Sequence, residues 1–280
     1  MSTLAERHQE VLGLEALQFV TGTFFELSAE KIGHLRKEFE KNRTFFDEIS
    51  GLYEAVRRAA AKAKAPGKDE PTRSIAVAFT SNAHFYGSIN ADVVRALMEH
   101  AQKTPDEEVM IIGNTGRAFV EGYGHLRRPP EFLSFAADDP TREEVHQFLE
   151  RVASFSRVYV FHPSFVNMFS QTVGMLDITH APSERAQTEE LNDSVDYIFE
   201  PELSRILSFF ETRVRYLLFR RVMFEAELAR TAARLLAMND AQDRANSVLA
   251  ALRYRARQEA EAFKDARLLE TFSALAKFRS

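Results

Sequence analysis

The sequence of 280 residues contains no cysteine, so the chain forms no disulfide and offers no thiol for catalysis or metal binding. It also contains no apolar run of about 20 residues, the length that a transmembrane helix requires. No N-terminal segment combines a basic start with an apolar stretch, so we expect no secretory signal. These absences favour a protein of the reducing cytosol over a secreted or membrane-spanning one.

Proline and glycine are scarce in two long parts of the sequence. All nine prolines lie between Pro66 and Pro201, and neither residue type occurs after Pro201. Because proline costs a helix interior about 3 kcal/mol and glycine about 1 kcal/mol, the absence of both after Pro201 predicts helix over 201–280. The region 1–64 contains no proline and only four glycines, and we predict helix there too. The second helix would be about 120 Å long, and such a helix needs a partner for its apolar face.

Apolar residues in both helical regions recur at steps of three and four, which is the seam of a left-handed coiled coil. We therefore predict that the two regions pack on each other as a long antiparallel coiled coil, with a globular insert between them. The pattern is carried by Leu17, Val20, Phe24 and Leu27 and again by Ala245, Leu249, Leu252 and Ala256.

The insert, residues 70–200, alternates apolar strands with helical segments. We predict strands in SIAVAF, EVMIIG, RVYVFH and VDYIFE, and helices in INADVVRALMEHAQK, TGRAFVEGYG and TREEVHQFLERVAS. In the last of these helices, Thr141 followed by Glu144 is a capping box. Alternating strands and helices are typical of a parallel sheet, so the predicted fold class is α/β, with a small, mostly parallel Rossmann-like insert domain.

The loop TSNAHFYGSIN follows the first predicted strand and opens onto a helix, as phosphate-binding loops do. It contains one glycine, Gly87, and no lysine, whereas a P-loop requires two spaced glycines and a lysine. In GYGHLRR, Arg127 occupies the position of the third glycine of a dinucleotide fingerprint. Neither loop predicts a nucleotide site; we expect Gly87 to form a turn and Asn90 to cap the helix.

No other motif indicates catalysis. The eight histidines show no metal-ligand spacing, and no serine lies in a G-x-S-x-G elbow. We therefore expect no catalytic residue, no metal and no cofactor.

Charge is divided unevenly along the chain. The net charge of −5 does not suggest nucleic acid as a partner, but residues 202–280 hold 15 Lys and Arg against 10 acidic residues. This basic end favours either an acidic protein partner or a solvated, arginine-rich helix.

Six segments, in order and spanning roughly residues 4–265, resemble the gamma subunit of F-type ATP synthases. VAFTSNAHFYGSIN is similar to the strand and TSDRGLCGGLN turn of that family, and VMIIGNTGRAFV to its second strand. VYVFHPSFVNMFSQTV resembles its LYIVYNKFINTMSQ segment, and VDYIFEPE its DYLYEP segment. AARLLAMNDAQDRA and YRARQEA resemble AARMVAMKNATDNA and YNKARQAA.

This resemblance implies the central rotor shaft of a rotary ATP synthase or ATPase, with no catalytic site of its own. Such a shaft couples ion flow through a membrane ring to ATP synthesis or hydrolysis in a catalytic hexamer. The implied partners are the alpha/beta-type hexamer, an epsilon-type small stalk subunit and a c-type ring. The implied location is peripheral, at the cytoplasmic face of a bacterial inner membrane.

The resemblance also implies the residues that meet these partners. In the interface between shaft and hexamer it places Phe19, Phe24, Arg234, Met238, Asp243, Arg257 and Gln258. At the foot, facing the ring, it places Tyr197, Phe199, Glu200 and Pro201.

Both shaft ends depart from the family pattern. Phe19 and Gly22 stand where the family has lysines, and the C-terminal EAFKDARLLETFSALAKFRS is longer and contains three phenylalanines. Because of these departures, one alternative is that the chain is the rotor of a specialised, divergent F-type ATPase, either sodium-type or hydrolysis-only. A free coiled-coil scaffold with an α/β recognition domain, and an enzyme using the insert, are the further alternatives.

Overall fold

The computed structural model describes residues 4–62, 73–121, 128–179 and 203–277. They belong to two compact units, one made of residues 1–27 and 235–280 and the other of residues 28–234. In chain order the elements are α1 (Leu4–Lys62), β1 (Ser74–Phe79), α2 (Ile89–Lys103), β2 (Glu108–Ile112), α3 (Asn114–Val120), β3 (Glu131–Leu133), α4 (Arg142–Val152), β4 (Arg157–Asn167), β5 (Ser170–Asp177) and α5 (Leu203–Lys277).

The larger unit is built on a sheet of five strands in the order β3-β2-β1-β4-β5. Strands β3, β2, β1 and β4 run parallel to one another, and β5 pairs antiparallel with β4 at the edge of the sheet. A mixed α/β fold with a mostly parallel sheet and a long C-terminal helix is thereby confirmed. The domain boundaries at 1–64, 70–200 and 201–280 stay a prediction.

Each face of the sheet is covered by helices, because successive residues of the central strands are apolar and point to opposite faces of the sheet. One face packs on α4 and α5, where the ring of Phe219 lies 4.5 Å from that of Phe148 and 5.6 Å from that of Phe79. The other face packs mainly on α2, through Leu97 and its apolar neighbours. The helix α5 is therefore part of the core of this unit.

Helix α4 begins at the capping box that the sequence predicts. The hydroxyl of Thr141 accepts a hydrogen bond from the amide of Glu144 at 3.3 Å, and the Glu144 carboxylate accepts from the amide of Thr141 at 2.8 Å. The amides of Ala136 and Thr141 hold the pKa of Glu144 below its usual value. The signal was local, so the sequence sufficed to place it.

The expected cap of α2 is wrong. Ser88 is the N-cap residue, and its side chain makes no capping hydrogen bond. Asn90 lies inside the helix and is buried, where its amide donates to the Ser81 hydroxyl at 2.8 Å. Gly87 has a φ of 60° and serves the turn, as the sequence predicts.

Two strands were missing from the sequence prediction. The strand β3 has only three residues, and β5 completes a hairpin whose first strand, β4, continues well past RVYVFH. Exposed residues alternate irregularly in β5, so its periodicity gave little signal. The predicted strand VDYIFE lies outside the described residues.

The smaller unit contains the first part of α1 and the last part of α5. The side chain of Gln18 donates to Asn246 at 2.8 Å, and Arg253 pairs with Glu15 at 2.8 Å. Residues earlier in α1 therefore contact residues later in α5, so the two segments run antiparallel. Thr21, Ala245 and Leu249 are buried here.

Candidate functional site

The helix α5 crosses the carboxyl end of the sheet, and two arginines on it contact the loops that follow the strands. Arg230 and Arg234 are four residues apart and so lie on one face of the helix. Their partners come from residues 80–88, between β1 and α2, and from residues 134–141, between β3 and α4. We call Arg230, Arg234, Tyr86 and Asp138 the anchor cluster.

Arg230 is buried to 1% exposure, which is exceptional for an arginine. Its guanidinium donates to the carbonyl of Thr80 at 3.4 Å and to the carbonyl of Asp138 at 3.2 Å, and lies 5.2 Å from the centre of the Phe79 ring. Burial lowers the pKa of Arg230, and the charge of Asp138 opposes that effect. The group stays protonated because arginine ionises far above neutral pH.

The carboxylate of Asp138 ties the two loops together. It accepts from the amide of Asn82 at 2.5 Å, from the amide of Ala83 at 3.2 Å and from the hydroxyl of Tyr86 at 2.8 Å. Burial would raise the pKa of Asp138, but these hydrogen bonds and the charge of Arg230 outweigh it, so the pKa is lowered. The carboxylate is therefore ionised at neutral pH.

Tyr86 connects this carboxylate to the second arginine. The guanidinium of Arg234 lies 4.1 Å from the centre of the Tyr86 ring and donates to the carbonyl of His84 at 3.3 Å. Burial, with the nearby Asp138, raises the pKa of Tyr86 to about 12. Its hydroxyl consequently keeps its proton and continues to donate to Asp138.

A phosphate bound at the loop after β1 would require free backbone amides as hydrogen-bond donors. The amides of Asn82 and Ala83 bond the Asp138 carboxylate, and that of Gly116 bonds the hydroxyl of Thr80 at 3.0 Å. The amide of Thr115 bonds the carbonyl of Ser81 at 3.0 Å. These amide donors, which a phosphate would require, are committed to the protein itself.

Beyond Leu252, every described side chain of α5 through Phe272 is exposed. Large apolar side chains are among them: Phe263 is 69% exposed, Leu269 is 71% and Phe272 is 67%. On α1, Phe19 is 76% exposed. Phe19 of α1 and the described part of α5 beyond Leu252 therefore present apolar side chains to solvent.

The residues implied for the hexamer interface are placed differently from one another. Asp243, Arg257 and Gln258 are exposed on α5, whereas Phe24 is half-buried and Met238 is buried. Arg234 is half-buried in the anchor cluster. The implied foot residues Tyr197, Phe199, Glu200 and Pro201 lie outside the described residues.

The parts of the chain that the structure describes contain neither a metal site nor a transmembrane helix. No group of three His, Asp or Glu residues is arranged to hold a metal ion there. Among the same residues, no helix has a stretch both long and apolar enough to cross a bilayer.

Sequence reasoning missed Arg230, Tyr86 and Asp138. A signal existed for Arg230, because Val222, Ala226, Arg230 and Ala233 share one apolar stripe of α5. An arginine in such a stripe indicates either that the stripe is not buried or that the guanidinium has polar partners in the core. Its partner Asp138 is 92 residues away in sequence, and only the fold brings the two together.

The comparisons with known proteins agree with this fold. A family model described as ATP synthase matches residues 3–263. The ATP synthase gamma chain of Psychrobacter arcticus is 23% identical over 269 residues, covering 89% of this chain and 90% of the relative. That of Symbiobacterium thermophilum is 24% identical over 268 residues, covering 90% and 91%.

Two solved structures share the fold. The central stalk and c-ring structure of the Tetrahymena thermophila mitochondrial ATP synthase contains a chain that matches with a TM-score of 0.59 at 19% identity, covering 79% of this chain and 99% of that one. A chain of the Euglena gracilis mitochondrial ATP synthase matches with a TM-score of 0.53 at 13% identity, covering 92% and 95%. The chain belongs to the ATP synthase family, and its gamma-chain relatives confirm the predicted role of a rotor shaft in an F-type ATP synthase.

Proposed function

We propose that this chain turns inside an alpha/beta-type catalytic hexamer as the shaft, with α1 and α5 wound as an antiparallel coiled coil. In this proposal an epsilon-type small subunit and a membrane c-type ring bind the larger unit, and Tyr197, Phe199, Glu200 and Pro201 form the foot. The chain works peripherally, at the cytoplasmic face of the membrane, with either protons or sodium as the coupling ion. It contributes no catalytic site.

One observation carries the proposal: every side chain of α5 from Tyr254 to Phe272 is exposed. A lone helix in water gains little from its own hydrogen bonds, and exposed Phe263 and Leu269 add an apolar surface that water disfavours. A sleeve of partner subunits would bury this surface at about 25 cal/mol per Å².

The antiparallel contacts of α1 and α5 supply the stiffness that a shaft requires. In the smaller unit these are the contacts of Gln18 with Asn246 and of Glu15 with Arg253. In the larger unit, Lys31 pairs with Glu227 at 2.6 Å. Polar pairs at the rim of an apolar seam favour one alignment of two helices over others.

The contacts with the hexamer are proposed to come from exposed side chains of both helices. Phe19 offers apolar area, and Asp243, Arg257 and Gln258 offer polar groups. Phe24 and Met238, which are less exposed, support the helices beneath that surface. Arginine is well suited to such contacts because it binds carboxylates in a bidentate geometry.

The test is an ATPase assay of the assembled complex with Arg257→Ala and Gln258→Ala combined. We expect ATP turnover to fall several-fold, since arginine is enriched among the interface residues whose truncation costs about 1 kcal/mol or more. The matched control combines Arg142→Ala with Gln147→Ala on α4, where both residues are also exposed. Equal turnover in wild type and test variant would exclude these two residues from the interface.

The absence of a catalytic site is tested separately, by titrating ATP into the isolated chain in a calorimeter. We expect no binding with a Kd below about 1 mM, a limit that corresponds to roughly 4 kcal/mol. Tighter binding would favour the enzyme alternative. Failure of the chain to copurify with a nucleotide-binding hexamer would instead favour the free scaffold.

A further inference from the structure

The anchor cluster joins α5 to main-chain atoms of the sheet's loops. Arg230 donates to the carbonyls of Thr80 and Asp138, and Arg234 donates to the carbonyl of His84. Main-chain acceptors cannot swing away as side-chain acceptors can. The two arginines therefore bind α5 to parts of the unit that are themselves fixed by β1 and β3.

We propose that Arg230 and Arg234 are positioning residues that fix the rotational and axial register of α5 against the sheet, so that torque passes between the shaft helix and the α/β unit without slippage. This inference rests on the proposed function as a rotor shaft. It goes beyond that function, because it describes how torque is transmitted from α5 to the sheet within this chain.

Rotation of α5 about its own axis would break the cluster. Successive residues of a helix are about 100° apart, so even a turn of half that angle would carry both guanidinium groups away from their carbonyls. Apolar neighbours such as Phe219 and Val222 could slide past the sheet more easily, because dispersion contacts have no preferred direction. The arginines supply directional contacts at this interface, as does the Ser164 hydroxyl of β4, which donates to the carboxylate of Glu225 on α5.

Sliding of α5 along its axis would be resisted as well. A shift of one turn, about 5.4 Å, would bring Arg230 to the position that Ala226 now occupies. Ala226 is fully buried in the apolar core together with Val222. A guanidinium there would lose its carbonyls and the nearby Asp138 carboxylate, and a buried charge without partners is strongly disfavoured.

Stability alone does not account for a charge at this place. An apolar side chain of similar volume commonly replaces a buried ion pair with no loss of stability, and in some proteins buried polar groups select one alignment. The cluster is suited to the second purpose, because Asp138 holds both loops while Tyr86 links it to Arg234. One network thus joins α5 to two loops of the sheet.

The experiment compares the assembled, membrane-bound complex carrying the wild-type chain with one carrying Arg230→Met and Arg234→Met. Because the chain contains no cysteine of its own, Gln147→Cys on α4 and Arg220→Cys on α5 provide two spin-label sites at exposed positions, in a complex whose other subunits are made cysteine-free. The first readout is the distance distribution between the labels during ATP hydrolysis. The second is the number of ions pumped per ATP hydrolysed.

For the wild type we expect one narrow distance. In the double variant we expect a second, shifted distance, with its population raised about tenfold, since loss of a charge-assisted hydrogen bond shifts an equilibrium by about that factor. Ions pumped per ATP should fall while ATP hydrolysis continues. The control, Arg213→Met, changes an exposed arginine of the same helix and should behave as wild type.

Several results would overturn the inference. One is a double variant that assembles in smaller amount but keeps the wild-type distance and the wild-type pumping per ATP, because that is a purely structural effect. If the double variant does not assemble, Arg230→Lys decides, since an ammonium group keeps the charge but lacks the planar fork that spans two carbonyls. Unchanged distance and pumping in Arg230→Lys would then contradict the inference.

The same experiment distinguishes a failure of the proposed function from a failure of the register inference. If the wild-type chain itself supports no coupled pumping, the rotor assignment fails. If the wild type pumps and the variants match it in both readouts, only the register inference fails.

Discussion

The guanidinium of Arg234 lies 4.1 Å from the centre of the Tyr86 ring, and the hydroxyl of Tyr86 in turn donates to Asp138 at 2.8 Å. A residue of the long C-terminal helix is thus linked through one aromatic side chain to the loop after β3. The tyrosine contributes both a face for the cation and a donor for the carboxylate. Substitutions can separate these two contributions.

Tyr86→Phe keeps the ring and removes the hydroxyl. We expect the free energy of unfolding to fall by about 1.5–3 kcal/mol, the usual value of a hydrogen bond to a charged group. Urea denaturation followed by circular dichroism measures this. As a control, Tyr254→Phe removes an exposed hydroxyl that accepts from Gln258 at 3.0 Å, and it should change stability by less than about 0.5 kcal/mol. Equal effects of the two substitutions would contradict the importance of Asp138 as acceptor.

The buried His162 on β4 makes the free energy of unfolding depend on pH. The residue is buried, and its Nδ1 donates to the carbonyl of Pro163 at 3.0 Å. Burial lowers the pKa of His162 below its usual 6.5, an effect that Glu225 opposes and that Arg221 and Arg230 reinforce. The folded state therefore disfavours the proton that the unfolded state accepts, so this contribution is present above pH 6.5 and is lost as the pH falls below it.

We expect His162→Gln to make the unfolding midpoint in urea less dependent on pH between neutrality and moderate acidity. The control is His84→Gln, which makes the same change at an exposed position. Midpoints measured across that range should be flatter for His162→Gln than for wild type. A curve for His162→Gln as steep as that of wild type would assign the acid sensitivity to other groups.

Two glycines give opposite predictions for the same substitution. Gly113 has a φ of 102°, and an added Cβ would lie 2.8 Å from the carbonyl oxygen of Thr80, so Gly113→Ala should destabilise by about 2 kcal/mol or more. Gly13 lies in α1 with nothing within 4 Å of an added Cβ, so Gly13→Ala should stabilise by about 0.5–1 kcal/mol. Melting temperatures of both variants check the signs, and a tolerated alanine at 113 would contradict the close approach of the two loops.

The sequence predicted the elements whose signals are local. The capping box of Thr141, the turn at Gly87 and the two long helices free of proline all follow from residues that are neighbours in the chain. The parallel sheet followed from the alternation of strands and helices. Strand β3 was missed because three residues are too few to show a period.

Neither the cap of α2 nor the full anchor cluster could have been predicted from the sequence, because both depend on contacts between distant residues. Ser88 rather than Asn90 precedes α2 because Asn90 is drawn inward to the Ser81 hydroxyl, a contact that depends on how β1 ends. Asp138 resembles any loop carboxylate until the fold brings it beside Tyr86. Partners that are distant in sequence leave no periodic pattern, so a single sequence does not reveal them.

The central claim is that this chain rotates within a catalytic hexamer. The direct measurement is to immobilise the purified complex by the hexamer, attach a visible probe to a cysteine introduced at Gln147, and record the probe while ATP is supplied. We predict continuous rotation in one direction that stops when ATP is removed. A complex that hydrolyses ATP while the probe stays fixed would contradict it.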